Sequence, residues 1–262
     1  MIANKYKLIE KISEGSFGSV YKAENIRTGE FVAMKVETKS NEGIKTLMSE
    51  AKIYQYLNNL KGFPRLKWFG TDASFNYLAI DLYLFSLNEA VKRHKILDLK
   101  TVIFFGTQMI ERIQVIHSKC LLHRDIKPDN FLLDAKNQIY LIDFGLCKRY
   151  DYDGKHISQK SITSLIGTAN YASIHVHNGI EPSRRDDLES CVYILIYMLF
   201  GQLEWETCIS PDSVAQLKEN ILSNTKLPLF IREMLTYIRQ LAFEATPNYV
   251  YLNNVLCELD SL

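Results

Sequence analysis

Cysteine is sparse in this sequence. Five residues, Cys120, Cys147, Cys191, Cys208 and Cys257, are scattered over 262 positions with no C-x-x-C pair. That pattern argues against a zinc ribbon or a disulfide framework and fits neutral thiols in a reducing compartment. Long apolar runs are missing too. The longest, Cys191 to Phe200, falls short of the roughly 20 residues that span a bilayer and reads as a buried core helix. The opening MIANKYKLIEK has no apolar core, so no secretory signal and no membrane insertion are expected. Neither charge sign dominates, with 31 Lys plus Arg against 30 Asp plus Glu. Net charge therefore points to no nucleic-acid partner, and any basic substrate site must be local. No repeat or low-complexity tract is present. The remainder is 47% hydrophobic and 23% charged, enough apolar material for one large domain or two small lobes.

Periodicity divides the chain. Tyr6–Ile12, Val20–Asn25 and Phe31–Glu37 read as strands separated by turns at Glu14-Gly15-Ser16 and Thr28-Gly29-Glu30. Glu42 to Leu60 reads as a helix, followed by strands Leu66–Thr71 and Tyr77–Leu82. Beyond Tyr83 the texture turns helical. Helices are expected over Ser86–Arg93, Leu99–His117, Asp187–Phe200, Ser213–Asn224 and Leu229–Phe243, bounded by Pro211, Pro228 and Pro247. Short apolar segments Phe131–Leu133 and Ile139–Ile142 interrupt them, and Asp151 to Ser164 is polar. The expected class is α+β: a small β-rich lobe with one main helix and a larger α-helical lobe, the cleft between them being the default ligand site.

Chemistry concentrates in His123-Arg124-Asp125-Ile126-Lys127-Pro128-Asp129-Asn130, with Asp143-Phe144-Gly145 beginning 13 residues past Asn130. Phosphoryl transfer needs one carboxylate to orient and deprotonate the attacking hydroxyl, and an Asp with an Asn to hold Mg²⁺ against phosphates. Asp125 suits the first role, and Asn130 with Asp143 the second. Lys127 can stabilise charge on the transferring group. Any one of these alone is an ordinary turn residue; the ordered set is not.

The run resembles the protein-kinase signature set. That resemblance implies a bilobal kinase fold as a single domain over 1–262, with an N-lobe to about residue 82, a hinge near 81–85 and a C-lobe from about 86. It also implies ATP and Mg²⁺ as cofactors and protein substrates. Upstream, Gly15-Ser16-Phe17-Gly18-Ser19-Val20 resembles the glycine loop over the phosphates, with Ser13 where a first glycine is usual. Val32-Ala33-Met34-Lys35 is similar to the strand bearing the ATP lysine, and Glu50 occupies the place of its helix partner; Glu37 and Glu42 are rivals in sequence. The adenine is expected at Asp81-Leu82-Tyr83, with Ile80 guarding the rear and Ile12, Val20, Ala33 and Leu133 as apolar walls.

Lys127 and Thr168 in Gly167-Thr168-Ala169-Asn170-Tyr171 imply serine/threonine specificity, the Thr168 hydroxyl bridging Asp125 and Lys127. Ala172-Ser173-Ile174-His175, Gly179-Ile180-Glu181 and Ser183-Arg184-Arg185-Asp186-Asp187-Leu188-Glu189-Ser190 narrow the resemblance to the casein kinase 1 family. There Asp187 would brace the catalytic loop. The chain departs from that family at Asn170, usually Arg, at His175, usually Asn, and at Leu84-Phe85, usually Gly-Pro. Between Gly201 and Pro228 its basic stretch is reduced to Lys218 and Lys226. Recognition of phosphate-primed sites is therefore not implied. A preference for acidic substrates through Arg184, Arg185, Lys148 or Arg149 is. Further expectations are a monomer in cytoplasm or nucleus, in a compact form without a C-terminal tail. The rival readings are a kinase-fold pseudokinase scaffold and a small-molecule kinase. Retention of Lys35, Asp125, Asn130 and Asp143 counts against the first, and the Thr168 and Ser183–Asp187 segments against the second.

Overall fold

The computed structural model describes residues 1–15, 18–39 and 47–257. They fall into two compact units, one of Met1–Leu84 with Leu132–Gly145, the other of Phe85–Phe131 with the chain from Leu146 onward.

The first unit is built on five antiparallel strands: β1 (Tyr6–Gly15), β2 (Gly18–Asn25), β3 (Glu30–Thr38), β4 (Leu66–Thr71) and β5 (Phe75–Asp81) in the order β1-β2-β3-β5-β4. Alternation along β3 sends Val32 and Met34 to one face, where they pack with Tyr6, Ala23, Tyr77 and Ala79. Ala33 and Lys35 take the opposite face. Burial of each large apolar side chain contributes about 1.5–3 kcal/mol, and this registers the sheet. Gly18 stands at φ +121°, and a Cβ there would lie 2.2 Å from the Val36 carbonyl oxygen, so the β1–β2 turn needs glycine.

Helix α1 (Leu47–Tyr56) supplies Leu47, Glu50, Ala51 and Tyr54 as its buried face. The predicted start of this helix lies outside the described residues. It ends four residues before the predicted Leu60, near Asn59 at φ +66°. A short ribbon, Phe131–Leu133 beside Ile139–Leu141, accompanies this unit. It was expected in the helical lobe, but Leu133 accepts from the Leu84 N–H at 3.2 Å and Leu141 donates to Gly62 at 3.0 Å.

The second unit is helical: α2 (Leu87–His94), α3 (Leu99–Ser118), α4 (Ile174–His177), α5 (Arg184–Phe200), α6 (Pro211–Asn220), α7 (Leu229–Gln240) and α8 (Tyr249–Cys257). Ser86 and Glu89 form a capping box on α2, and Asp98 caps α3. Helix α5 packs against α3 and α7 and is buried from Arg184 to Met198, charged in its first two turns and apolar on all sides from Cys191 onward. It starts three residues before the predicted Asp187, where the Asp186 carboxylate accepts the Ser183 N–H at 2.6 Å and closes the first turn. Helices α4 and α8 were not expected, nor was the hairpin of Asp151–Tyr152 with Lys155–His156 inside the polar stretch. Among the described residues no helix is long and apolar enough to cross a membrane.

Candidate active site

Two clusters gather the predicted residues, one in each unit. In the first, alternation on β3 turns Lys35 away from the apolar face. Its Nζ donates to Glu50 Oε2 at 2.8 Å and to Asp143 Oδ1 at 3.0 Å. Burial alone would lower the Lys35 pKa, but the Glu50 and Asp143 carboxylates outweigh it and hold the amine above its ordinary value. One turn along α1 from Glu50, the Tyr54 hydroxyl accepts the Asp143 N–H at 3.0 Å. The Tyr54 ring meets Phe144 edge-on at 5.1 Å. The sequence signal for Tyr54 was only its place four residues after Glu50. Asp143 itself adopts φ +63°, a conformation unusual for a side-chain-bearing residue. Of the rivals to Glu50, Glu37 is used elsewhere, accepting from the Leu47 N–H at 2.9 Å and the Asn76 amide at 3.0 Å; Glu42 lies outside the described residues.

Of the predicted nucleotide walls, Val20, Ala33 and Ile80 lie on the strands beside this lysine. Val20 pairs with Lys35, Ala33 with Ile80, Ser13 with Val20 and Gly15 with Gly18. Ile12 is half exposed at 50%, whereas Leu133 is buried. Ser16 and Phe17 lie outside the described residues. Asp81 ends β5, and its carboxylate accepts from the Arg65 N–H at 2.8 Å and sits 3.0 Å from Lys67 Nζ. The Tyr83 ring stacks on Tyr140 at 4.2 Å. A cavity of about 610 Å³ borders Asp81, Leu82, Tyr83, Asp134 and Tyr140, but neither Lys35 nor Ala33 lines it. It is therefore separate from the face that carries the lysine.

In the second unit Asp125 is buried with its carboxylate spoken for on both oxygens. Lys127 Nζ donates to Oδ2 at 2.6 Å, and the Thr168 hydroxyl donates to Oδ1 at 2.7 Å. Lys127 also reaches the Thr168 hydroxyl at 3.2 Å. Asn130, in the 3₁₀ turn Pro128–Asn130, donates its Nδ2 to the Asp125 carbonyl at 2.8 Å. A carboxylate and an amide oxygen are the hard donors Mg²⁺ prefers, so Asp143 and Asn130 fit the predicted ion by their chemistry.

Below this loop, Asp187 at the start of α5 accepts from the His123 and Arg124 N–H groups at 2.8 and 2.9 Å and from His117 Nε2 at 2.9 Å. Burial would raise the Asp187 carboxyl, but these donors hold it below the usual carboxylate range. Burial lowers the His117 pKa more than Asp187 raises it. The neutral ring then gives Nε2–H to Asp187 and accepts from the Tyr249 hydroxyl at Nδ1, 2.7 Å away. Sequence reading missed His117 and Tyr249, because a histidine and a tyrosine far apart in the chain carry no shared signal.

Arg184 and Arg185 need correction as substrate-facing cations. Both are buried. Arg184 donates to the Tyr150 hydroxyl at 3.2 Å and the Glu244 carbonyl at 2.5 Å, and stacks over the Tyr150 ring. Arg185 donates to the Leu241 carbonyl at 2.6 Å. Their guanidiniums tie α5 to the segment after α7. Lys148 pairs with Glu181, and Arg149 stays exposed over Tyr152.

Compared with known families, the chain matches one family model, described as the protein kinase domain, over residues 6–243.

Proposed function

The chain belongs to the protein kinase domain family, and from that premise we propose that it is a serine/threonine kinase of the casein kinase 1 type, acting as one domain. The observation that carries the reading is the Asp125–Lys127–Thr168 cluster, in which a lysine and a hydroxyl fix the carboxylate meant for the acceptor. The casein kinase 1 part rests on the Ser183–Ser190 stretch and the Ala172–His175 segment.

In this mechanism Asp125 orients a Ser or Thr hydroxyl and takes its proton as the oxygen bonds to the γ-phosphorus of ATP and the bond to the β-phosphate bridge breaks, releasing ADP. Lys127 offsets charge on the moving phosphoryl group. Lys35, held charged by Glu50 and Asp143, positions the nucleotide phosphates. Asn130 and Asp143 would hold Mg²⁺, which when bound neutralises phosphate charge.

The test is a Mg²⁺/ATP assay on two serine peptides, one with an acidic run before the serine and one with a phosphoserine three residues before it. A tyrosine peptide and the Asp125→Asn variant serve as controls. Transfer to serine is expected, with little gain from priming and a fall of roughly 10²–10⁴-fold in the variant. Absence of transfer to either serine peptide and to casein, or a variant of near-normal rate, would sink the proposal.

A further inference from the structure

Lys218, on α6, is fully buried. Among the described residues no carboxylate lies within ion-pair distance of it. Its Nζ instead donates to the Ala169 carbonyl at 2.7 Å and the Ala172 carbonyl at 2.6 Å. The rings of Tyr193 and Trp205 flank it at 4.6 and 5.2 Å. The same short stretch is held from two further directions. Trp205 Nε1 donates to the Asn170 carbonyl at 2.8 Å, and His177 Nε2 lies 3.0 Å from the Ala169 carbonyl and 3.3 Å from Lys218 Nζ. Three of the four carbonyls from Ala169 to Ala172 are thus anchored by side chains from α4, α6 and the segment between α5 and α6.

Burying an ammonium this way is costly. Desolvation pushes the Lys218 amine down to about 7; Glu189 opposes that shift and Arg239 adds to it. Glu189, the acid that opposes the shift, takes the Tyr193 hydroxyl at 2.5 Å and Arg239 Nε at 3.1 Å through its Oε1. An apolar side chain of equal length would fill the same space without that cost. What the amine adds is a grip on the backbone that follows Thr168. Thr168 is the residue bonded to the carboxylate of Asp125, where an acceptor hydroxyl must arrive. The stretch from Ala169 to Ala172 therefore borders the approach of the polypeptide acceptor.

We infer that Lys218, with Trp205, is a positioning residue that holds Ala169–Ala172 in the shape that receives the protein substrate. The inference rests on the kinase reading of Asp125 and Thr168. It also accounts for a feature of the sequence: one of the two lysines left between α5 and α7 points inward and is withheld from any phosphate on the substrate.

Lys218→Met keeps the length and apolar stem of the side chain and removes the donor. In this variant the peptide KM is expected to rise tenfold or more, with the KM for ATP changed less than twofold. Amide exchange at Tyr171 and Ala172, both of which donate to the Thr168 carbonyl at 2.9 Å, should speed up at least tenfold. Two results overturn the inference: peptide KM and amide exchange both unchanged, or kcat lowered with both KM values intact, which marks lost folded enzyme. Should Lys218→Met fail to fold, Trp205→Phe carries the test. It removes one indole donor and should raise peptide KM at least threefold; no change would refute the clamp. If the wild-type chain phosphorylates no peptide, the kinase reading fails, and the exchange rates still decide whether Lys218 holds the loop.

Discussion

Gly167 shows how much one position can demand. Its φ is +89°, and a Cβ there would sit 2.6 Å from the Arg124 carbonyl oxygen and 3.5 Å from Asp125 Oδ1. The turn brings Thr168 onto the carboxylate only because nothing projects from the residue before it. Gly167→Ala is expected to cost about 1–3 kcal/mol in urea denaturation and to lower turnover by about a hundredfold, as misplacement near reacting groups does. A variant with unaltered rate would mean that the Thr168 contact is dispensable. Arg184 and Arg185 teach the converse. A guanidinium reads the same in sequence whether it meets solvent or caps a carbonyl, and only the packing of α5 turned both inward.

At the scale of elements, the loop His123–Asp125 is held by three helices that share one buried chain of hydrogen bonds. Tyr249 of α8 donates to His117 of α3, which donates to Asp187 of α5. Burial keeps His117 neutral and its folded pKa below the ordinary 6.5. As pH falls below that value the unfolded chain takes up a proton that the folded chain does not, so stability is lost on acidification. Urea denaturation at pH 7.5 and 5.5 should show wild type losing about 1 kcal/mol more than His117→Asn, the size of one group over one pH unit. Equal losses would place the acid sensitivity elsewhere, His175 and His177 being the other histidines that burial holds low. The boundaries of α6 and α7 were partly readable in advance through Pro211 and Pro228, whereas the start of α5 was not. Helix α4 was not, because its four residues make a single turn and display no period; α8 was missed although Tyr249, Leu252, Val255 and Leu256 stand at helical spacing.

For the whole molecule, family membership implies a nucleotide, and a nucleotide that binds only the folded chain must stabilise it. Mg²⁺ with ATP at 100 times its Kd should add about 2.7 kcal/mol, read as a rise in Tm, and Lys35→Met should remove most of that rise. An equal rise in the variant would mean that the lysine does not touch the phosphates. The residues proposed for this chemistry fall in both units: Lys35, Glu50 and Asp143 in one, Asp125, Lys127, Asn130 and Thr168 in the other.

The amino-acid sequence by itself determined the fold class and singled out the residues proposed to carry the chemistry. Strand alternation, helix periodicity and the spacing of the Asp125, Asn130 and Asp143 motifs are local properties that survive without coordinates. The Lys35–Glu50 pair came from the resemblance to the kinase pattern, since Glu37 and Glu42 lie nearer in sequence; the structure pairs Lys35 with Glu50 at 2.8 Å. Tertiary structure alone decided which cations are spent inside. Lys218, Arg184 and Arg185 reach backbone carbonyls 46 to 60 residues away in the chain. Partners at such separation leave no periodic trace, so their placement follows only from how the helices pack.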